Sequence, residues 1–181
     1  MSTGSREMHF NVSQLFQEFN GATRRYDVNE NLSYSDVGVT VHVWGTVKML
    51  KTDESIWVQA SLDSQIPLEC SRCLAQLELP VHAEFDEEYF PISLGYTEER
   101  GLGDVDETQY IHYDNILDLN PAAHQYLSMA VPMKPVCGDE CSGLCMDCGI
   151  NLNKNKCQCK TDKTDPRWAA LSKMVVATPR S

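Results

Sequence analysis

No run of apolar residues in this 181-residue chain approaches the 18 or more that a membrane-spanning helix requires. Its first ten residues, MSTGSREMHF, carry no apolar leader segment, so the expected location is the cytoplasm. Positive charge is scarce as well: 15 Lys and Arg stand against 26 Asp and Glu, for a formal charge of -11. A strongly acidic body repels phosphate backbones and suits basic protein partners. Catalytic signatures are missing too. Ser, Thr and Lys residues form no nucleophile elbow and no phosphate loop, and His9, His42, His82, His112 and His124 are scattered without an acid or cysteine in a recognisable string. Neither an enzyme nor a small-molecule substrate is indicated.

Cysteine, by contrast, is concentrated. Six of the eight cysteines fall within the 23 residues from Cys137 to Cys159, and Cys70 and Cys73 form a remote CxxC. Thiolates two or three residues apart, separated by small turn formers, converge on one cation without strain. A reducing compartment keeps thiols free, which favours metal over disulfides. The expectation is structural zinc. Cys145 and Cys148, with Gly149 where the turn must tighten, supply one pair of ligands. Three pairs compete to complete the set: Cys157 with Cys159, Cys137 with Cys141, and Cys70 with Cys73. Eight thiols suffice for two sites of four, and one site with spare thiols is equally allowed. Around the cluster only Leu144, Met146, Ile150 and Leu152 are large and apolar, so the metal should replace a core there. A redox CxxC belongs at a helix start after a strand, whereas Cys70 and Cys73 fall between alternating, strand-like runs.

Those runs organise the rest of the chain. Val39, Val41, Val43, Gly45, Val47 and Met49 share one face of a period-two pattern, opposite Thr40, His42, Trp44, Thr46 and Lys48. Ile56, Val58, Ala60 and Leu62 repeat the pattern after a polar turn, which reads as an antiparallel hairpin. Leu77, Leu79, Val81, Ala83 and Phe85 make a third run, and Tyr110 to Tyr113 a short return to the sheet. Helical spacing of Val12, Leu15, Phe16 and Phe19 after Asn11 predicts a short amphipathic helix over the sheet. Asn120-Pro121 starts another, with Ala123, Tyr126, Leu127 and Ala130 on one face, ended by Pro132 and Pro135. Pro91 to Thr108 reads as an acidic loop, and Asp165-Pro166 as the cap of a last helix bearing Trp168, Leu171 and Val175. Charge divides along the chain: eleven acids oppose Arg100 between Glu84 and Asp118, whereas seven Lys or Arg oppose Asp162 and Asp165 after Gly149.

The CSRC string between strands, the PMKPVC segment, the CxxxCxGLCxxCGxNLN string, the CxC doublet and DPRWAAL together resemble the YceD family of bacteria and plastids, from about Leu15 to Met174. The resemblance implies a factor for accumulation of large-subunit ribosomal RNA, and so for ribosome assembly, without enzymatic activity. Its partners would be a ribosomal protein, the 23S rRNA precursor, or both. It also matches Cys70 and Cys73 to the family's first CxxC, and Cys141, Cys145 and Cys148 to its C-terminal cluster. The whole reading is an α+β protein: an antiparallel sheet, with barrel-like closure as one allowed form, covered by helices over residues 10–132, and a zinc module over residues 133–177. A zinc-containing nucleic-acid-binding regulator and a thiol redox protein are the alternatives.

Overall fold

The computed structural model of the chain describes residues 8–34, 39–92, 107–159 and 167. Most of the expected acidic loop, and the expected helix with Trp168, Leu171 and Val175, lie outside the described residues. Of the described residues, those up to Glu69 and from Gln76 to Pro135 form one compact unit; Cys70–Ala75 with those from Val136 onward form the other.

The first unit is a long-stranded sheet with few helices. Alternation creates its strands: β1 (His9–Asn11), β2 (Thr23–Tyr34), β3 (Val39–Lys51), β4 (Ile56–Glu69), β5 (Gln76–Pro91), β6 (Tyr110–Ile111) and β7 (Ile116–Asp118). The main sheet runs β2-β3-β4-β5-β6 and β1 pairs with β7. Neighbours are antiparallel except β5 and β6, which are parallel. Burial follows the period. Val41, Val43, Val47 and Met49 of β3 are buried beside Ile56, Val58, Ala60 and Leu62 of β4 and Val81, Ala83 and Phe85 of β5. Ser64 continues the inward face of β4, and its hydroxyl is satisfied by donating to the His42 carbonyl at 2.9 Å.

Strands β3 and β4 approach closely around Gly45. This residue has φ of +153°, and a Cβ placed there would lie 2.1 Å from the Ser61 carbonyl oxygen. Only glycine lets β3 press this closely on β4. Strand β2 carries no expectation from the sequence, because Arg24 and Glu30 interrupt its inward face. Even so, Tyr26, Val28 and Leu32 share one parity, and Val28 and Leu32 pair with Gly45 and Val41.

Among the described residues, two helices cover the buried face. Helix α1 (Ser13–Gln17) is shorter than the spacing predicts. Val12 and Leu15 are buried and Phe16 packs against the core, but Phe19 lies beyond the helix and is exposed. The Asn11 side chain accepts the Ser13 amide at 3.1 Å. Helix α2 (Asn120–Ala130) begins at Asn120-Pro121 as expected and ends at Val131. Ala123 and Leu127 are buried, Tyr126 stacks on Phe85 with ring centroids 4.4 Å apart, and Ala130 is exposed rather than on the packed face. The Tyr126 hydroxyl donates to Glu87 at 2.7 Å.

The opposite face of the sheet is polar and in register. Arg25, Lys48, Gln59 and Asp86 form one row; Asp27, Thr46, Ser61 and Glu84 the next; Asn29, Trp44, Asp63 and His82 a third.

Candidate metal centres

All eight cysteines lie in the second unit, and it sorts them into two groups of four: Cys70, Cys73, Cys137 and Cys141, and Cys145, Cys148, Cys157 and Cys159. Within each group the sulfur atoms all lie within 4.8 Å of one another. The pairing left open by spacing is thus resolved in space. Both groups could hold a metal ion.

Each group is built on the same backbone knuckle. In the first, the Cys70 amide donates to the Ala75 carbonyl and the Leu74 amide to the Cys70 carbonyl, both at 2.9 Å. In the second, the Cys145 amide donates to Ile150 and the Gly149 amide to Cys145, again both at 2.9 Å. The residue after the second cysteine takes a left-handed conformation in each, with φ of 55° at Leu74 and 71° at Gly149. This turn directs amides at the leading sulfur. Those of Cys73 and Arg72 bond Cys70, and those of Cys148 and Asp147 bond Cys145.

Sulfur spacing discriminates between chemistries. Cys70 lies 3.9 Å from Cys141, Cys73 3.6 Å from Cys137, Cys148 3.5 Å from Cys157, and Cys145 3.3 Å from Cys157. A disulfide needs about 2.05 Å. A tetrahedral ion with Zn–S bonds of about 2.3 Å sets sulfur edges of about 3.8 Å, which these distances bracket. All eight thiols are free.

The electrostatics of each group are uneven. Amide donors, led by that of Cys73, hold the Cys70 thiol down at about 6 against the opposing effect of burial. Those of Cys148 and then Asp147 lower Cys145 to about 7. The Asn153 side-chain amide, then the Gly143 amide, lowers Cys141. At the far ends, hydrogen bonds with Cys141, Cys73 and Cys70 push Cys137 up to about 12, and those with Cys157 and then Cys148 do the same for Cys159. Each cluster therefore favours a thiolate at its leading knuckle sulfur and keeps a proton at its far end. Four adjacent thiolates need a cation to coexist, and four sulfurs around a tetrahedral ion leave no open position for water.

Supporting residues were less visible in the sequence. Gly143, at φ of 71°, sits where a Cβ would meet the Arg72 carbonyl oxygen at 3.2 Å. Arg72 donates to the carbonyls of Asp139 and Cys141 at 3.2 and 3.3 Å. Asn153 accepts the Ser142 amide at 2.8 Å and donates to the Cys141 sulfur at 3.3 Å. The Asn-Leu-Asn string was legible as a signature, but not as a support for the neighbouring thiolates. The histidines lie elsewhere: His42 stacks on Trp44, His82 bridges Asp63 and Glu84, and His9 faces Asp118.

A family model described as large ribosomal RNA subunit accumulation protein YceD matches residues 58–175, well over half the chain. The chain is 28% identical to an uncharacterised protein of Mycobacterium tuberculosis over 132 residues, which are 71% of this chain and 60% of that protein. It is 26% identical over 170 residues to the chloroplastic large ribosomal RNA subunit accumulation protein YCED homolog 1 of Arabidopsis thaliana, covering 82% of this chain and 51% of that one. A Mycobacterium leprae protein is 26% identical over 140 residues, 73% of this chain and 61% of its own length. The chain thus spans about half to three fifths of the length of these curated relatives. No solved structure matches it. The names of the family model and of the Arabidopsis protein describe an accumulation role and state no catalytic activity. Among the described residues, no helix is long and apolar enough to cross a membrane.

Proposed function

The chain belongs to the YceD family, and from that premise we propose that it is a non-enzymatic cytoplasmic factor supporting large ribosomal subunit biogenesis and 23S rRNA accumulation. The observation that carries the reading is the family match, which runs through both cysteine knuckles. In this reading zinc occupies both groups, held by Cys70, Cys73, Cys137 and Cys141 and by Cys145, Cys148, Cys157 and Cys159, and keeps the region of residues 133–177 in shape. Bound zinc supplies structure here, not reaction chemistry.

The acidic stretch from Glu84 to Asp118 shields a basic ribosomal protein. One feature supports this: Glu84 and Asp86 are exposed on the polar face of the sheet. Charge complementarity of this kind speeds encounter and orients the partner. The segment from Gly149 to Lys173, with exposed Lys154 and Lys156, touches RNA or fixes orientation. Elemental analysis should give two zinc ions per chain. Binding is tested with purified ribosomal proteins and 23S rRNA in low and physiological salt; no interaction with either overturns the proposal. Affinity for generic duplexes falling steeply with salt would instead indicate a nucleic-acid-binding regulator. A readily alkylated cysteine in the metal-loaded protein would indicate a redox role.

A further inference from the structure

The two cysteine groups touch through one short string. Asn151, Leu152 and Asn153 lie in the loop between Cys148 and Cys157, and so belong by sequence to the second group. Their side chains nevertheless serve the first. The Asn153 amide nitrogen donates to the sulfur of Cys141 at 3.3 Å, and the Asn151 amide nitrogen to the carbonyl of Cys73 at 3.4 Å. The Asn153 carboxamide has one sensible orientation, because its oxygen accepts the Ser142 amide at 2.8 Å and its nitrogen also reaches the Asn151 oxygen at 3.1 Å. The Asn151 oxygen in turn accepts the Asn153 amide at 2.9 Å.

The backbone carries this string across. Leu144 and Asn151 form a β-bridge, the Leu152 amide donates to Gly143 at 2.9 Å, and the Cys145 amide donates to Ile150 at 2.9 Å. The loop is therefore pinned at its far side by the Cys145 knuckle, with Cys148 and Cys157 at its two ends. Whatever orders those cysteines also orders the donor on Cys141. Losing such a donor leaves the ligand sulfur less firmly oriented for the metal, and outer hydrogen bonds to ligands are worth about 10–100-fold in metal affinity.

We propose that Asn153 is a positioning residue coupling the two centres, so that metal at the Cys145 group raises the affinity of the Cys70 group. The proposal rests on the metal reading given above. Coupling of this sort is reciprocal and typically amounts to about 5–150-fold. Loading of either group therefore favours loading of the other.

The test uses the full-length chain in zinc buffered by a chelator. Occupancy of each group is read from protection of its own cysteines against alkylation, mapped by mass spectrometry. Cys148→Ser, which disables the second group, should shift half-protection of Cys70 and Cys73 about 5–150-fold toward higher free zinc. Asn153→Ala should shift it about 10–100-fold, and adding Cys148→Ser to that variant should shift it little further. Asn153→Asp keeps an acceptor for the Ser142 amide and removes the donor to Cys141. It should resemble Asn153→Ala, and it keeps the test intact should Cys148→Ser not fold. Half-protection of the first group that is unmoved by Cys148→Ser and by Asn153→Asp, or shifts from Cys148→Ser and Asn153→Ala that add in full, would overturn the coupling. Zinc protecting none of the eight cysteines in the wild-type chain would overturn the metal reading itself, and the coupling with it.

Discussion

Stripping the metal from this chain should melt the cysteine unit and leave the sheet folded, and the contrast in cores sets the scale. Among the described residues of the cysteine unit, Val136, Leu144, Ile150 and Leu152 are only half-buried and Met146 is fully exposed. Half-burial of an aliphatic side chain contributes about 1 kcal/mol, so the four together contribute about 4 kcal/mol. A structural zinc contributes about 10–16 kcal/mol in small modules. In the zinc reading, metal therefore outweighs the apolar burial of these described residues by a wide margin. The other unit buries a cluster of 24 residues running from Met8 to Leu127 and depends on no cysteine. Hydrogen exchange read by mass spectrometry, before and after chelation, separates the two cases. Peptides covering 70–75 and 136–157 should lose protection, while those covering 41–49, 56–66 and 81–89 keep theirs. Protection persisting across 136–157, once elemental analysis confirms the ion has gone, would refute the reasoning.

Gly45→Ala should cost at least about 3 kcal/mol in urea unfolding, because the new methyl meets backbone of β4 that cannot move aside, whereas Gly138→Ala, with open space around it, should be near neutral. Leu74→Gly should stabilise the metal-loaded protein by about 0.5–1 kcal/mol: the left-handed backbone costs an L-residue about 1–2 kcal/mol, glycine's chain entropy returns part of that, and Leu74 is mostly exposed. Gly149→Ala should do the reverse by about 1 kcal/mol, and equal effects at the two positions would refute the shared-knuckle reading. Hydrogen bonds to Asp63 and then Glu84 raise the His82 pKa above 6.5. Its contribution to stability is thus complete below about pH 6.5 and fades as pH rises through the higher folded value. An NMR titration of His82 with a midpoint at or below 6.5 would contradict this.

Strands β3, β4 and β5 were legible because each alternates valine, isoleucine, leucine or alanine with polar residues, and burial follows that alternation. Strand β2 was not. Its inward positions include Arg24, whose guanidinium bonds Glu18, and Glu30, so tertiary partners make up for what local propensity lacks. Phe19 kept helical spacing, but the chain turns away at Glu18, whose amide closes on Leu15. The clustering of cysteines was plain, yet their division into fours was not, because the partners of Cys70 and Cys73 lie 64 to 71 residues away. Leu74 hid the likeness of the two knuckles, standing where the second has glycine.

The two sulfur sets differ greatly in the stretch of chain they enclose. The close pairs of the second are 9 and 12 residues apart, those of the first 64 and 71. As the polypeptide is synthesised at about 5–20 residues per second, Cys70 and Cys73 wait roughly 3–13 s for Cys137, while the later set completes itself almost as soon as it begins. In the zinc reading, the early pair is during that interval an unfinished chelate, open to oxidants and to thiophilic ions such as copper(I). In that reading, Cys70 and Cys73 are the cysteines that wait longest for their partners and so stay open to mismetallation longest.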